Sequence, residues 1–187
     1  FNPDGREIKR TDLINQKWMD NDFYGIVASA NYDNREGLTM NIGGGWNRYD
    51  GDHFGRYLWI KNYMGNPAGK EYYRNDARKI DGNIYGKVHW EFAKGLSAFA
   101  DLQYRHVSLR MDGPTDEWDG SEQLTYNIHS HYDFFNPKAG LFYDINPNIK
   151  AYASVAVAHK EPTRNDYEEN MNADLKAERL TDYELGV

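Results

Sequence analysis

The chain contains no cysteine, which excludes a disulfide framework and any thiolate metal site but leaves the compartment open. No stretch approaches the roughly 18 consecutive apolar residues that suggest a transmembrane helix. Basic residues are outnumbered, 22 Lys and Arg against 29 Asp and Glu, giving a net charge of −7. That balance argues against a nucleic-acid binder, whose footprint is basic. There is no initiating methionine and no signal peptide. The start at Phe1-Asn2-Pro3-Asp4-Gly5 reads as mid-gene sequence, so a fragment is expected, with any targeting segment upstream. No internal repeat, no low-complexity run and no convincing helix is read, and Glu168 to Leu180 reads as a loop. No catalytic constellation stands out, so the chain is not read as an enzyme. Gly43-Gly44-Gly45 lacks the Lys-Ser/Thr of a phosphate loop and reads as a strand bend or a close backbone approach, with room for a plug as an alternative.

What the chain does have is a rhythm of period two. Mean hydropathy is −0.89, yet aromatics reach 15%, with 15 Tyr, 5 Trp and 17 Gly. Half-apolar strands with polar connections produce that combination. In Leu96 to Tyr104, one face carries Leu96, Ala98, Ala100, Leu102 and Tyr104, and the other Ser97, Phe99, Asp101 and Gln103. Alternation with one apolar face is a strand signal. It recurs from Tyr24 to Tyr32, Leu38 to Asn47, Ile84 to Phe92, Ala139 to Ile145, Ile149 to Val157 and Tyr183 to Val187.

The connections alternate in length. Asp33 to Gly37, Lys94-Gly95 and Asn146 to Asn148 carry hairpin-turn residues. Between them lie long loops, roughly Asp50 to Asn83, Met111 to Asn136 and His159 to Thr181. Short turns at one end and long loops at the other are the asymmetry of outer-membrane barrels, whose strands give only a weak hydropathy signal. Tyr24, Tyr32, Trp46, Trp90 and Phe92 sit near the ends of apolar faces, as interfacial girdles do, though Tyr and Trp suit strands anywhere. Small residues such as Ala28, Ala30, Ala98, Ala100, Ala151 and Ala153 fit a surface meeting lipid better than a dense soluble core.

Near the C-terminus, His159-Lys160-Glu161-Pro162-Thr163-Arg164-Asn165-Asp166-Tyr167 follows an apolar strand, and Asp174-Leu175-Lys176-Ala177-Glu178 precedes Tyr183-Glu184-Leu185-Gly186. This resembles the late barrel region of TonB-dependent outer-membrane receptors, with Ala173 and Ala177 where that family often has proline. Asn21 to Gly25 and Gly43 to Gly51 resemble earlier barrel segments of Bacteroidetes-type members. The resemblance implies an all-β antiparallel up-and-down meander, part of a transmembrane β-barrel with long extracellular loops. It implies one domain, 1–187, of about six to seven strands from a barrel of about 22, with the plug outside this chain.

It further implies energy-coupled uptake of a scarce nutrient (an iron chelate, haem, cobalamin or an oligosaccharide) across the Gram-negative outer membrane. The implied partners are the TonB complex, reached through a missing N-terminal region, outer-membrane lipid and a small-molecule or glycan ligand, with no nucleic acid and no resident cofactor. A passive porin, a barrel enzyme and a soluble carbohydrate-binding module remain the alternatives. For ligand contact the candidates are the loop aromatics Trp59, Tyr63, Tyr72, Tyr73, Trp118 and Tyr126, whose other reading is packing within the loops. His129 and His131, at strand spacing, are candidate metal or haem contacts. Without an identifiable third ligand they read better as polar loop residues. Asp112, Asp116, Glu117 and Asp119 lack the EF-hand pattern and read as solvated loop charge. Lys87, His89, Glu91, Asp101, Gln103 and Arg105 are placed on the face opposite the apolar one.

Overall fold

A computed structural model describes residues 10–62, 68–170 and 174–187. Seven strands follow one another in a single sheet in chain order. They are β1 (Leu13–Asp33), β2 (Leu38–Ile60), β3 (Glu71–Ala93), β4 (Leu96–Asp119), β5 (Glu122–Asn146), β6 (Ile149–Lys160) and β7 (Glu178–Gly186). One helix, α1 (Arg164–Glu169), interrupts the last connection. The chain is therefore an antiparallel meander, as the alternation predicts.

The register bears out the assignment of faces. Across β5 and β6, Leu141 pairs with Ala153 and Tyr143 with Ala151 on the apolar face. Phe142 pairs with Tyr152 and Asp144 with Lys150 on the other. Across β6 and β7, Val155 pairs with Tyr183 and Ala153 with Leu185. Large side chains thus stand beside small ones across strands, which fills the face evenly. Five of the apolar segments are also matched in length. Tyr24 to Tyr32, Leu38 to Trp46, Ile84 to Phe92, Leu96 to Tyr104 and Ile149 to Val157 each count nine residues inclusively. Their large members stand exposed, Ile26 at 70% and Ile42 at 60%.

The tight turns are built as their residues require. In the β1–β2 turn the Asn34 Oδ1 accepts from the amides of Glu36 (2.8 Å) and Leu38 (2.9 Å), and Asp33 Oδ1 accepts from Arg35 N at 2.7 Å. These side-chain bonds hold Arg35 at φ 59° and Gly37 at φ 95°, left-handed values that Asn- and Gly-rich turns support. Gly95, at φ 73°, closes the β3–β4 hairpin.

Most of the described residues in two of the three expected long loops are strand instead. β2 runs on to Ile60 and β3 begins at Glu71, while β4 and β5 meet at Gly120-Ser121. The last, 161–177, remains a long connection, and it contains α1 where no helix is expected. The expected loop at 168–180 is corrected at both ends, since Glu168 and Glu169 close α1 and β7 begins at Glu178. The physical reason is that hydropathy alternation reports burial of one face, not the backbone ladder. Beyond the nine-residue segments the formerly apolar face turns polar and the buried positions move to the opposite face, as at Tyr73, Asn75 and Ala77 on β3 and Val107 and Met111 on β4, so the single-face signal breaks while the pairing continues. Cross-strand ion pairs such as Arg78–Asp50 (2.6 Å) and Arg74–Asp52 (2.8 Å) mark that continuation.

By contact density the chain divides into two units. One comprises Phe1–Phe23, Tyr49–Arg78 and Leu109–His129. In it Tyr73, Ala77, Met111 and Tyr126 form a small buried core. The other comprises Tyr24–Arg48, Lys79–Ser108 and Ser130–Val187. It holds the matched apolar segments and a second buried group around Val107, Phe134 and Tyr167.

Candidate functional site

On the face opposite the apolar one, β3, β4 and β5 converge on the connection after β6. Arg105 of β4 donates through Nε to Asp81 Oδ1 and Oδ2 of β3 at 3.1 and 3.0 Å, and its Nη2 also bonds Asp81 Oδ2. The same guanidinium donates to Glu161 at 2.8 and 3.0 Å. Lys79 Nζ reaches Glu161 Oε1 at 2.6 Å. Burial opposes ionisation of Glu161, but the bonds from Arg105 and Lys79 outweigh it and hold the carboxyl at about 2. The guanidinium lies 6.0 Å from the Phe134 ring centroid, and Phe134 stacks on His159 at 5.6 Å. Asn136 ties the group together, its Oδ1 accepting from His159 N at 3.0 Å and its Nδ2 donating to Gln103 at 3.1 Å.

Above these, Tyr132 and Tyr167 share a hydroxyl bond of 2.6 Å, and Tyr167 donates to Ser130 at 3.1 Å. Every polar group named here has a partner in the protein. The arrangement therefore fastens a connection; it does not offer free valences to a ligand. The alternation places Gln103 and Arg105 on this face but does not identify their partners. The available signal was Glu161, an acid directly after a strand that ends in His159-Lys160.

The aromatic candidates separate. None of the described ones lies in a loop: Trp59 is in β2, Tyr72 and Tyr73 in β3, Trp118 in β4 and Tyr126 in β5. Tyr63 lies outside the described residues. Tyr72 stacks on Tyr57 at 4.5 Å and meets Tyr73 edge-on at 5.1 Å. Gly55 makes room for both rings, since a β-carbon there would fall 2.5 Å from each. Asn15 Nδ2 donates to the Tyr72 hydroxyl at 3.0 Å. Tyr73 and Tyr126 are buried, at 8% and 2% exposure, so these two pack within the unit. Trp59 and Trp118 are open to contact, at 47% and 57%.

The histidines are likewise in strand β5, not in a loop, and each has its own partner. His129 Nε2 lies 3.1 Å from Asp112 Oδ1, and Asp112 also accepts from Arg110. The Arg110 bond, reinforced by His129, holds the Asp112 carboxyl below its usual range. His131 stacks on His106 at 6.2 Å, and His106 Nδ1 is 2.7 Å from Asp133. Among the described residues no three His, Cys, Asp or Glu side chains gather as metal ligands do. The acidic run is in or beside strand rather than loop, with Asp116 paired to Lys17. At the triple glycine, a β-carbon on Gly44 would lie 2.6 Å from Asn83 O, and one on Gly43 would meet the Tyr85 hydroxyl at 2.5 Å. Close approach of neighbouring strands, one of the expected roles, accounts for both.

A comparison with curated proteins returned no match. A comparison with family models matched residues 2–187 to the TonB dependent receptor-like β-barrel. That match spans all seven strands of the meander, the exposed nine-residue segments and the Glu161 connection. The chain belongs to the TonB-dependent receptor-like β-barrel family, whose members are receptors and transporters and not enzymes.

Proposed function

We propose that this chain, 1–187, is a wall segment of an outer-membrane receptor that takes up a scarce nutrient at the expense of inner-membrane energy. The observation that carries the reading is the set of matched apolar segments. Nine residues is what a tilted strand needs to cross a bilayer, about 9 to 11, and the large side chains on that face are exposed to the surroundings. In water such a face would be an aggregation hazard; in lipid it is solvated. On this reading the polar face lines the passage and the energy-coupling partner is the TonB complex.

Ligand capture then falls to the exposed aromatics of the polar extensions of β2 to β5. Trp59 and Trp118 are the leading contacts, with Tyr72 presented on the Tyr57 stack. His129 and His131 of β5 are secondary polar contacts. Iron chelates, haem, cobalamin and oligosaccharides all offer flat or ring-shaped surfaces that such side chains recognise.

The test is uptake by cells expressing the full-length protein. A ferric catecholate chelate, haem, cobalamin and a maltooligosaccharide are each supplied with and without the energy-coupling protein. Accumulation of one of them only when coupling is intact is the expected result. Uptake that persists unchanged without coupling would assign a passive pore instead.

A further inference from the structure

The connection from β6 to β7 is fastened to the polar face at three points along its length. At its start Glu161, 9% exposed, lies between Lys79 of β3 and Arg105 of β4. In its middle Tyr167 of α1, 4% exposed, bonds Tyr132 and Ser130 of β5. Near its end the carbonyl of Leu175 accepts from the Tyr132 hydroxyl at 3.3 Å. Glu161 directly follows the end of β6, which neighbours β5, so its ion pairs with Arg105 of β4 and Lys79 of β3 reach across the polar face through the side chains. A capping box sets the start of α1, with Asp166 N donating to Thr163 and Thr163 N to Asp166, which aims Tyr167 at the sheet.

Arg105 is the centre of this fastening because it alone serves both carboxylates. Its fork holds Asp81 with one edge and Glu161 with the other, a geometry lysine cannot reproduce. Removing it leaves two acids in a half-buried site, one of them sharing Lys79, and uncompensated buried charge is strongly unfavourable. We propose that Arg105 is a positioning residue that holds the β6–β7 connection against the polar face as a fixed wall of the ligand passage. Selection then takes place against an immobile surface, not beneath a swinging lid. The inference rests on the reading of this chain as a barrel wall.

The experiment places a nitroxide at Asn165→Cys, exposed on α1, in the full-length protein in detergent micelles, with Asn148→Cys in the β5–β6 turn as control. The parent is expected to give an immobilised spectrum at position 165. Arg105→Ala and Glu161→Gln are expected to raise the mobile fraction several-fold at 165 and leave 148 unchanged, with Arg105→Lys intermediate. Retention of a heat-modifiable band on gels shows that the barrel is folded. Should the charge variants not fold, Tyr167→Phe removes only the hydroxyl bonds and is expected to give a smaller rise. A label at 165 that is already mobile in the parent, or one that Arg105→Ala or Tyr167→Phe leaves unmoved in a folded barrel, overturns the proposal. Failure of the barrel reading would show separately, as a folded monomer that needs no detergent.

Discussion

Tyr126 and Trp118 stand on neighbouring strands of one hairpin, yet their surroundings assign them opposite tasks. Tyr126 is 2% exposed and belongs to a buried core with Met111 and Tyr73, whereas Trp118 is 57% exposed. Truncating a buried aromatic loses its contacts and leaves a cavity, typically about 3–5 kcal/mol. Tyr126→Ala is accordingly expected to lower unfolding stability by that amount in a urea titration of the micelle-bound protein. Trp118→Ala should change stability by no more than about 0.5 kcal/mol while weakening uptake of whichever probe the receptor accepts. Equal stability losses for the two would remove the distinction. Sequence could nominate both side chains, because an aromatic in a polar stretch looks the same whether it packs or protrudes. It could not rank them, because burial here depends on side chains from β3 and β4 that are distant in the chain. The same holds for Arg105, whose face follows from alternation but whose partners, Asp81 and Glu161, are 24 and 56 residues away.

At the scale of the strand, glycines and aromatics are fitted to one another across the sheet. Gly186 of β7 pairs directly with Tyr152 of β6, and a β-carbon on Gly186 would lie 2.2 Å from the Tyr152 ring. Gly140 stands in the same relation to Phe99 on the adjoining strand. The ring lies over the bare backbone and replaces the packing that the glycine lacks. Gly186→Ala is expected to cost about 1–3 kcal/mol, the usual price of overpacking, and Tyr152→Ala in the same chain should recover most of it. Additive losses in urea titrations of the single and double variants would show that ring and glycine do not couple. Strand identity and facing were legible in sequence wherever one face is apolar, as at Leu141 and Ala153. Strand length was not. From Arg48 to Arg56 on β2 the buried positions are glycines, Gly51 and Gly55, set among charged residues, so the ladder bonds that extend the strand to Ile60 leave little trace in hydropathy.

For the molecule as a whole the question is which surface meets lipid, and exposure alone does not answer it. Trp46, Trp59, Trp90 and Trp118 are all between 41% and 57% exposed. They differ in place: Trp46 and Trp90 fall within the nine-residue apolar segments, and Trp59 and Trp118 on the polar extensions of β2 and β4. Trp46 stands at the end of its segment remote from the β1–β2 turn, packed 6.0 Å from Tyr24. Trp90 stands near the β3–β4 turn, 5.5 Å from Phe92. If the segments span the bilayer, these two tryptophans lie in the two interfacial belts where aromatic rings gather. Full-length protein carrying one tryptophan at a time, the rest replaced by Phe, can be reconstituted in phospholipid with brominated acyl chains. Fluorescence from Trp46 and Trp90 is expected to be quenched strongly, most by bromines near the headgroups. Trp59 and Trp118 should respond to aqueous acrylamide and hardly to bromine. Equal quenching of all four by bromolipid, or none at Trp46 and Trp90, would mean that the matched segments do not face the membrane. The barrel reading would then lose the observation that carries it, even though family membership stands.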